Sequence, residues 1–216
     1  MEYNKIYQGD ALDLIDKTSH IFDLIIMSPP DLAETSYNLE EYKKFLYNIY
    51  TKCAKKLSKN GNLVSITTDR KKEGTIYTKH IDIINALQSE LTLFNYKIWA
   101  KTLKSNLYIL TYSHILAFRK NKTSPNHQLD EYRPDVLLIP RDNVKGYKNK
   151  DSFPTKLIEL ILKNYSNEGA LVLDPFIGSG KTMQVCKLNN RNCIGFELDE
   201  KNCNLANKRI NETNLE

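Results

Sequence analysis

Apolar residues follow two rhythms along this chain. Short, nearly unbroken runs predict strands at 5–8, 22–27, 62–67, about 92–101 and 109–119, and again at Leu171-Val172-Leu173 and Cys193-Ile194-Gly195-Phe196. A strand apolar at every position is buried on both faces, as in a parallel sheet covered by helices. Between the runs, helical spacing predicts helices at 11–17, about 39–58, about 79–89 and about 199–212, with a further one opening after Gly180. The longest has the stripe Leu39, Tyr42, Phe45, Leu46, Ile49, Cys53, Ala54 and Leu57, so its aromatics read as core. Asn38 with Glu41 three residues on predicts its capping box. Asn60-Gly61 predicts a left-handed cap at its end. Alternating strands and helices predict a single α/β domain over residues 1–216. Residues 120–150 break the rhythm. They are rich in Lys, Asn, Pro and Asp, around the apolar run Val136-Leu137-Leu138-Ile139. A connection this long inside a compact domain is usually functional or disordered.

Two strand ends carry the chemistry. The run 171–173 ends in Asp174, then Pro175-Phe176-Ile177-Gly178-Ser179-Gly180, then a helix start. Glycines let a backbone approach a ligand, and a helix start offers free N–H groups. Glu197 ends the next strand, about 20 residues on, where an acid holds ribose hydroxyls in nucleotide-binding βαβ units. Gly180-Lys181-Thr182 is similar to the end of a phosphate-binding loop, but Pro175 stands where that motif needs its first glycine and removes a donor. The second end is Met27-Ser28-Pro29-Pro30. Its prolines stiffen the backbone and leave a hydroxyl and carbonyls as acceptors.

Composition narrows the reading further. The chain has 216 residues, 41% of them hydrophobic, and a net charge of +5. That permits a polyanionic partner without requiring one. Lys97, Lys101, Lys104, Arg119, Lys120 and Lys122 flank the strands before the 120–150 segment; Arg133, Arg141, Lys145, Lys148 and Lys150 follow within it. Cys53, Cys186, Cys193 and Cys203 form no Cys-x-x-Cys pair, and His20, His80, His114 and His127 are scattered, so no metal is expected. No basic-then-apolar leader and no long apolar run is present, which predicts a soluble, cytoplasmic protein without membrane contact.

Taken together, these residues resemble the amino-methyltransferases of DNA, which methylate the exocyclic nitrogen of cytosine or adenine. Asp174-Pro175-Phe176-Ile177-Gly178-Ser179-Gly180 looks like that family's loop for S-adenosylmethionine, and Ser28-Pro29-Pro30 like its catalytic corner. The corner precedes the loop, the order of the family's circularly permuted β class. Gly9-Asp10 resembles the segment reading the cofactor's adenine, Phe153-Pro154 the segment lining its methionine end, and Tyr112–Lys120 the last strand before the recognition insert. The resemblance implies a Rossmann-like methyltransferase fold with a seven-stranded, mostly parallel sheet, and 120–150 as a short recognition insert. It implies cofactor contacts from Asp10, Phe153, Pro154, Asp174, Phe176, Gly178, Ser179, Gly180 and Glu197, and catalysis at Ser28, Pro29, Pro30 and Asp31. DNA is the implied partner. So small an insert implies a short target or a homodimer, and a restriction endonuclease counterpart fits the same picture.

One position departs from the pattern. The family places Tyr, Phe or Trp after the two prolines, to stack on a base extruded from the duplex; here Asp31 stands there. Tyr37 and Tyr42 are aromatics close by in the chain. The resemblance assigns Ser28 and the Pro29 carbonyl to accept from the amino group, while Asp31 receives a proton or offsets positive charge. Ser28 in place of aspartate points to cytosine N4, with adenine N6 as the alternative. Asp31 also leaves open a non-catalytic module that holds cofactor or DNA.

Overall fold

The computed structural model describes residues 1–72, 74–102, 110–120, 134–142 and 153–213. Lys104, Lys122, Arg133, Lys145, Lys148 and Lys150, and most of 120–150, lie outside these residues.

The described chain forms strands β1 (Lys5–Gln8), β2 (Phe22–Met27), β3 (Leu57–Thr67), β4 (Arg70–Lys72), β5 (Thr75–Tyr77), β6 (Thr92–Ala100), β7 (Tyr112–Arg119), β8 (Val136–Leu138), β9 (Leu171–Asp174) and β10 (Asn192–Glu197). Its helices are α1 (Ala11–Lys17), α2 (Leu39–Lys55), α3 (Lys79–Leu87), α4 (Thr155–Tyr165), α5 (Lys181–Leu188) and α6 (Glu200–Asn211). Eight strands make one sheet in the order β1-β10-β9-β2-β3-β7-β6-β8. Only β7 runs antiparallel to the others.

Strand alternation divides the core in two. On β2, Leu24 and Ile26 pack with the faces of α4, α5 and α6, while Phe22, Ile25 and Met27 pack with α1, α2 and α3. On β9, Val172 faces the first group, and Leu171 and Leu173 the second. This two-sided burial is why both strands read as continuous apolar runs.

The sheet has eight strands instead of the expected seven. The extra one, β8, comes from within the 120–150 segment: Val136, Leu137 and Leu138 pair in parallel with Ile98, Trp99 and Ala100. Trp99 Nε1 donates to the Ile139 carbonyl at 2.8 Å, and Ile139 is buried. A second correction concerns α2. Its capping box is present, with Glu41 N donating to Asn38 Oδ1 at 3.0 Å and Asn38 N to Glu41 Oε2 at 2.9 Å. Yet the helix ends at Lys55, and Asn60-Gly61 lies inside β3. Leu57 pairs with Phe22 instead, and the register slips between Phe22 and Leu24. A Cβ on Gly61 would lie 2.9 Å from the Phe22 carbonyl oxygen, so this glycine serves a close strand approach, not a helix cap. Beyond β3, β4 and β5 form a small antiparallel hairpin.

The sheet's centre sets the site. β2 and β9 lie side by side, with Leu24 opposite Val172 and Ile25 opposite Leu173. Asp23 Oδ2 accepts from Leu171 N at 3.0 Å and supports this pairing. Connections leave β9 and β2 toward opposite edges, which opens a crevice beyond their carboxyl ends. The two motifs, some 150 residues apart in sequence, meet there.

Candidate active site

A cavity of about 1370 Å³ opens at the carboxyl ends of β9, β10, β2 and β3. One half is walled by Asp10, Phe153, Asp174, Phe176, Gly178, Ser179 and Glu197, the other by Ser28, Pro29, Pro30 and Asp31. Two residues of the expected cofactor set, Pro154 and Gly180, are not in its wall. Pro154 is buried as the cap residue of α4, and Gly180 is covered by α6.

The glycine loop is built by specific contacts. Asp174, at the end of β9, accepts from Phe176 N at 3.0 Å and turns the chain. Ile177 N donates to the Phe196 carbonyl at 3.0 Å, and a Cβ on Gly195 would collide with the Ile177 side chain at 2.3 Å. Gly180 has φ +78°, and a Cβ there would lie 2.8 Å from that of Ala206. Gly178 has φ +52° with nothing nearer than 4.0 Å, leaving its face open. Ser179 Oγ accepts from Arg209 of α6 at 2.8 Å. Lys181 is tied to Asp142 at 3.2 Å and Thr155 at 3.1 Å, so it braces α4 and does not act as a phosphate-loop lysine.

The acids of this half converge. Gly9 N donates to the Glu197 carbonyl at 2.8 Å, which brings the ends of β1 and β10 together. Asp10 caps α1 by accepting from Leu12 N at 2.7 Å. Glu197 Oε1 accepts from Asp199 N at 2.9 Å, fixing its carboxylate. Burial pushes the Asp174 carboxyl up to about 6; hydrogen bonds from Thr182 and Phe176 oppose the rise and nearby Glu197 adds to it. Such an acidic, partly desolvated pocket suits a ligand carrying positive charge.

In the other half, Tyr42 of α2 donates from its buried hydroxyl to the Pro30 carbonyl at 2.6 Å. Burial also holds the Tyr42 phenol well above its usual range, so it stays a donor. Tyr42 is therefore a strut beneath the Ser-Pro-Pro corner and is not placed to stack on a base. Tyr37 is 38% exposed, lines the cavity, and lies 5.6 Å from the Phe45 ring. Asp31 bonds the ammonium of Lys79, whose side chain is only 5% exposed. Asp31 N donates to Glu34 Oε2 at 2.7 Å and anchors the following turn.

The comparisons with known proteins agree with this geometry. The family model described as DNA methylase (N6/N4) matches residues 22–208. The chain belongs to the DNA methylase family. Among family relatives, the type II methyltransferase M.HpaI of Haemophilus parainfluenzae is 29% identical over 93% of this chain and 71% of its own length. The orphan methyltransferase M.BamHII of Bacillus amyloliquefaciens is 48% identical, over 36% of this chain; the match spans about a third of that protein (32%). The solved structure of PvuII DNA methyltransferase (cytosine-N4-specific) superposes with a TM-score of 0.83 at 20% identity, over 98% of this chain and 87% of that one. A complex of M1.HpyAVI with SAM superposes with a TM-score of 0.72 at 24% identity, over 96% and 98%. The fold is thus the Rossmann-like methyltransferase fold.

Family motifs did not point to everything at the site. Behind the corner, Asp69 lies just past the end of β3, before β4, and lines the cavity. It accepts from His80 Nδ1 at 2.7 Å and from His80 N at 3.2 Å, and His114 Nε2 lies 3.3 Å away. The two imidazoles stack at 4.0 Å, and Tyr96 bonds His114 Nδ1 at 2.6 Å. Burial alone would raise the Asp69 carboxyl; hydrogen bonds from His114 and His80 outweigh it and hold the group down at about 2. These residues have metal-ligand chemistry and lie within reach of one another, although the scattered histidines suggested no such cluster. Lys79 was equally hidden, 48 residues from its partner Asp31. No local pattern marks such pairs, because β3, β7 and α3 bring them together only on folding. Among the described residues, no helix is long and apolar enough to cross a membrane.

Proposed function

We propose that this chain transfers a methyl group from S-adenosylmethionine to an exocyclic amino nitrogen of a DNA base, with cytosine N4 preferred. The observation that carries the reading is one cavity joining the acid-and-glycine half to the Ser28-Pro29-Pro30 corner. The residues fit the cofactor. Asp174 and Glu197 offer carboxylates to a cationic nucleoside, and Gly178 leaves space beside the loop. Bound there, the cofactor supplies an electrophilic methyl on a sulfonium. Glu197 would hold the ribose hydroxyls, Asp10 would serve the adenine, and Phe153 and Phe176 would exclude water along the wall. The type II methyltransferase names among the relatives support a DNA-methylating role.

An exocyclic amine has its lone pair delocalised into the ring and is a poor nucleophile. The site's task is therefore to desolvate and orient it after the base leaves the duplex. Ser28 Oγ and the Pro29 carbonyl accept hydrogen bonds from the two amino N–H groups and leave the lone pair free for the methyl; the extra proton of the methylated amine then leaves to solvent in the cavity. The Tyr42 strut keeps Pro30, and with it the corner, in place. Serine at position 28 supports cytosine over adenine.

The test is incubation with labelled S-adenosylmethionine and unmodified DNA, followed by nucleoside analysis. N4-methylcytosine is expected, and Ser28→Ala should slow the reaction on the order of a hundredfold through lost orientation. N6-methyladenine would move the assignment to adenine. Bound cofactor with no methylated nucleoside would overturn the enzyme reading and leave a cofactor-binding module.

The cofactor contact gives a separate expectation. Glu197→Ala removes acceptors for ribose hydroxyls, each worth about 1.5–3 kcal/mol when the acceptor is charged. Affinity by calorimetry should fall on the order of 10- to 100-fold. Unchanged affinity would take Glu197 out of the site.

A further inference from the structure

We infer that Lys79 reads the target base, donating to the ring carbonyl and ring nitrogen of an extruded cytosine, with Asp31 holding its ammonium in place. The inference rests on the methyl-transfer reading above and names what that site selects.

Lys79 opens α3 and is 4% exposed, yet it lines the same cavity as Ser28, Pro29 and Pro30. Among the described residues, Asp31 is the one side chain that pairs with its Nζ. An ammonium has three N–H donors, so two are left for a ligand. A buried cation with so few acceptors is costly unless something in the cavity completes its hydrogen bonds. Its position is also fixed from behind. The next residue, His80, is bonded to Asp69 through both its ring and its backbone N–H, which docks the first turn of α3 on the segment that follows β3.

The bases differ in what they offer this donor. Beside its amino group cytosine presents the acceptor N3, and next to that the carbonyl O2. Adenine presents N1 beside its amino group and has no carbonyl. A compact charge with several N–H groups can serve both cytosine acceptors at once. This accounts for the acid at position 31. The carboxylate, 40% exposed, replaces a stacking surface with an electrostatic mount for Lys79. Lys79 is then a specificity residue, and Asp31 a positioning residue that acts through it.

The test uses the full chain as wild type, Lys79→Met, Lys79→Arg and Asp31→Asn. Thermal melting and S-adenosylmethionine affinity serve as folding controls. Methylation of unmodified genomic DNA is followed as rate, KM for DNA and the ratio of N4-methylcytosine to N6-methyladenine. Lys79→Met should lower kcat/KM for cytosine by about tenfold or more, chiefly through KM, and lower the product ratio. Lys79→Arg should recover part of the loss, and Asp31→Asn should show a smaller shift in the same direction. Folded, cofactor-binding Lys79→Met with wild-type kcat/KM and product ratio would overturn the inference. Should Lys79→Met not fold, Lys79→Arg and Asp31→Asn both at wild-type values would overturn it equally. A wild type that methylates no base sinks the methyl-transfer reading itself, a result distinct from any change among the variants.

Discussion

Asp174→Asn is expected to stabilise the ligand-free protein while weakening its hold on the cofactor. Asp174 is 5% exposed, and burial raises its carboxyl to about 6 from an ordinary 3.8. A raised carboxyl means the native state holds the proton more tightly than the unfolded state. Between the two values the native form binds more protons, so stability falls as pH rises through that window. The cost is absent below about pH 4 and complete above about pH 6, and amounts to about 3 kcal/mol. Asparagine keeps the shape and can still accept from Phe176 N, yet carries no charge to desolvate. Chemical denaturation of the ligand-free protein from pH 4 to 8 should show the decline in wild type and a flat profile in the variant. Under the proposed function, the ionised acid serves a positively charged cofactor. Wild-type affinity should therefore weaken as pH falls through about 6, while the variant binds more weakly with little pH dependence. Parallel stability profiles for the two proteins would show that burial of Asp174 is not costly.

Gly180→Ala should unfold the protein far more readily than Gly178→Ala, though both alter the same loop. Both glycines have positive φ, +78° and +52°, where a Cβ costs roughly 1–2 kcal/mol. At Gly178 nothing else stands in the way, its nearest atom being 4.0 Å off. At Gly180 the added carbon would meet the Ala206 Cβ at 2.8 Å and its Cα at 3.0 Å. That is helix backbone with no flexible end to move, and overpacking of this kind costs about 1–3 kcal/mol more. Urea unfolding should therefore place Gly180→Ala about 2–5 kcal/mol below wild type and Gly178→Ala only about 1–2 below. Equal losses at the two positions would show that α6 yields to the side chain. The contrast also divides the loop by purpose: Gly178 faces the cavity, whereas Gly180 exists for the packing of α6.

The sequence by itself determined the elements whose causes are local. Nearly unbroken apolar runs at 22–27 and 171–173 marked central strands, because burial on both faces leaves no polar alternation. Asn38 and Glu41 marked the start of α2, because a capping box closes within one turn. The acid-and-glycine loop and the Ser-Pro-Pro corner were readable as family motifs, and the order of the two gave the permutation. Where local signals competed with packing, packing decided. Asn60-Gly61 has the composition of a helix cap, but pairing of Leu57 with Phe22 drew it into β3. Val136–Leu138 lay in a polar segment, and only an open edge on β6 made it a strand. The tertiary structure alone decided the partners of charged groups: Asp31 with Lys79, Asp69 with His80 and His114, Lys181 with Asp142. These pairs join segments 11 to 48 residues apart. A charge carries no periodicity that names its partner, and the energy of the pair depends on a distance and a burial that exist only once the sheet has assembled.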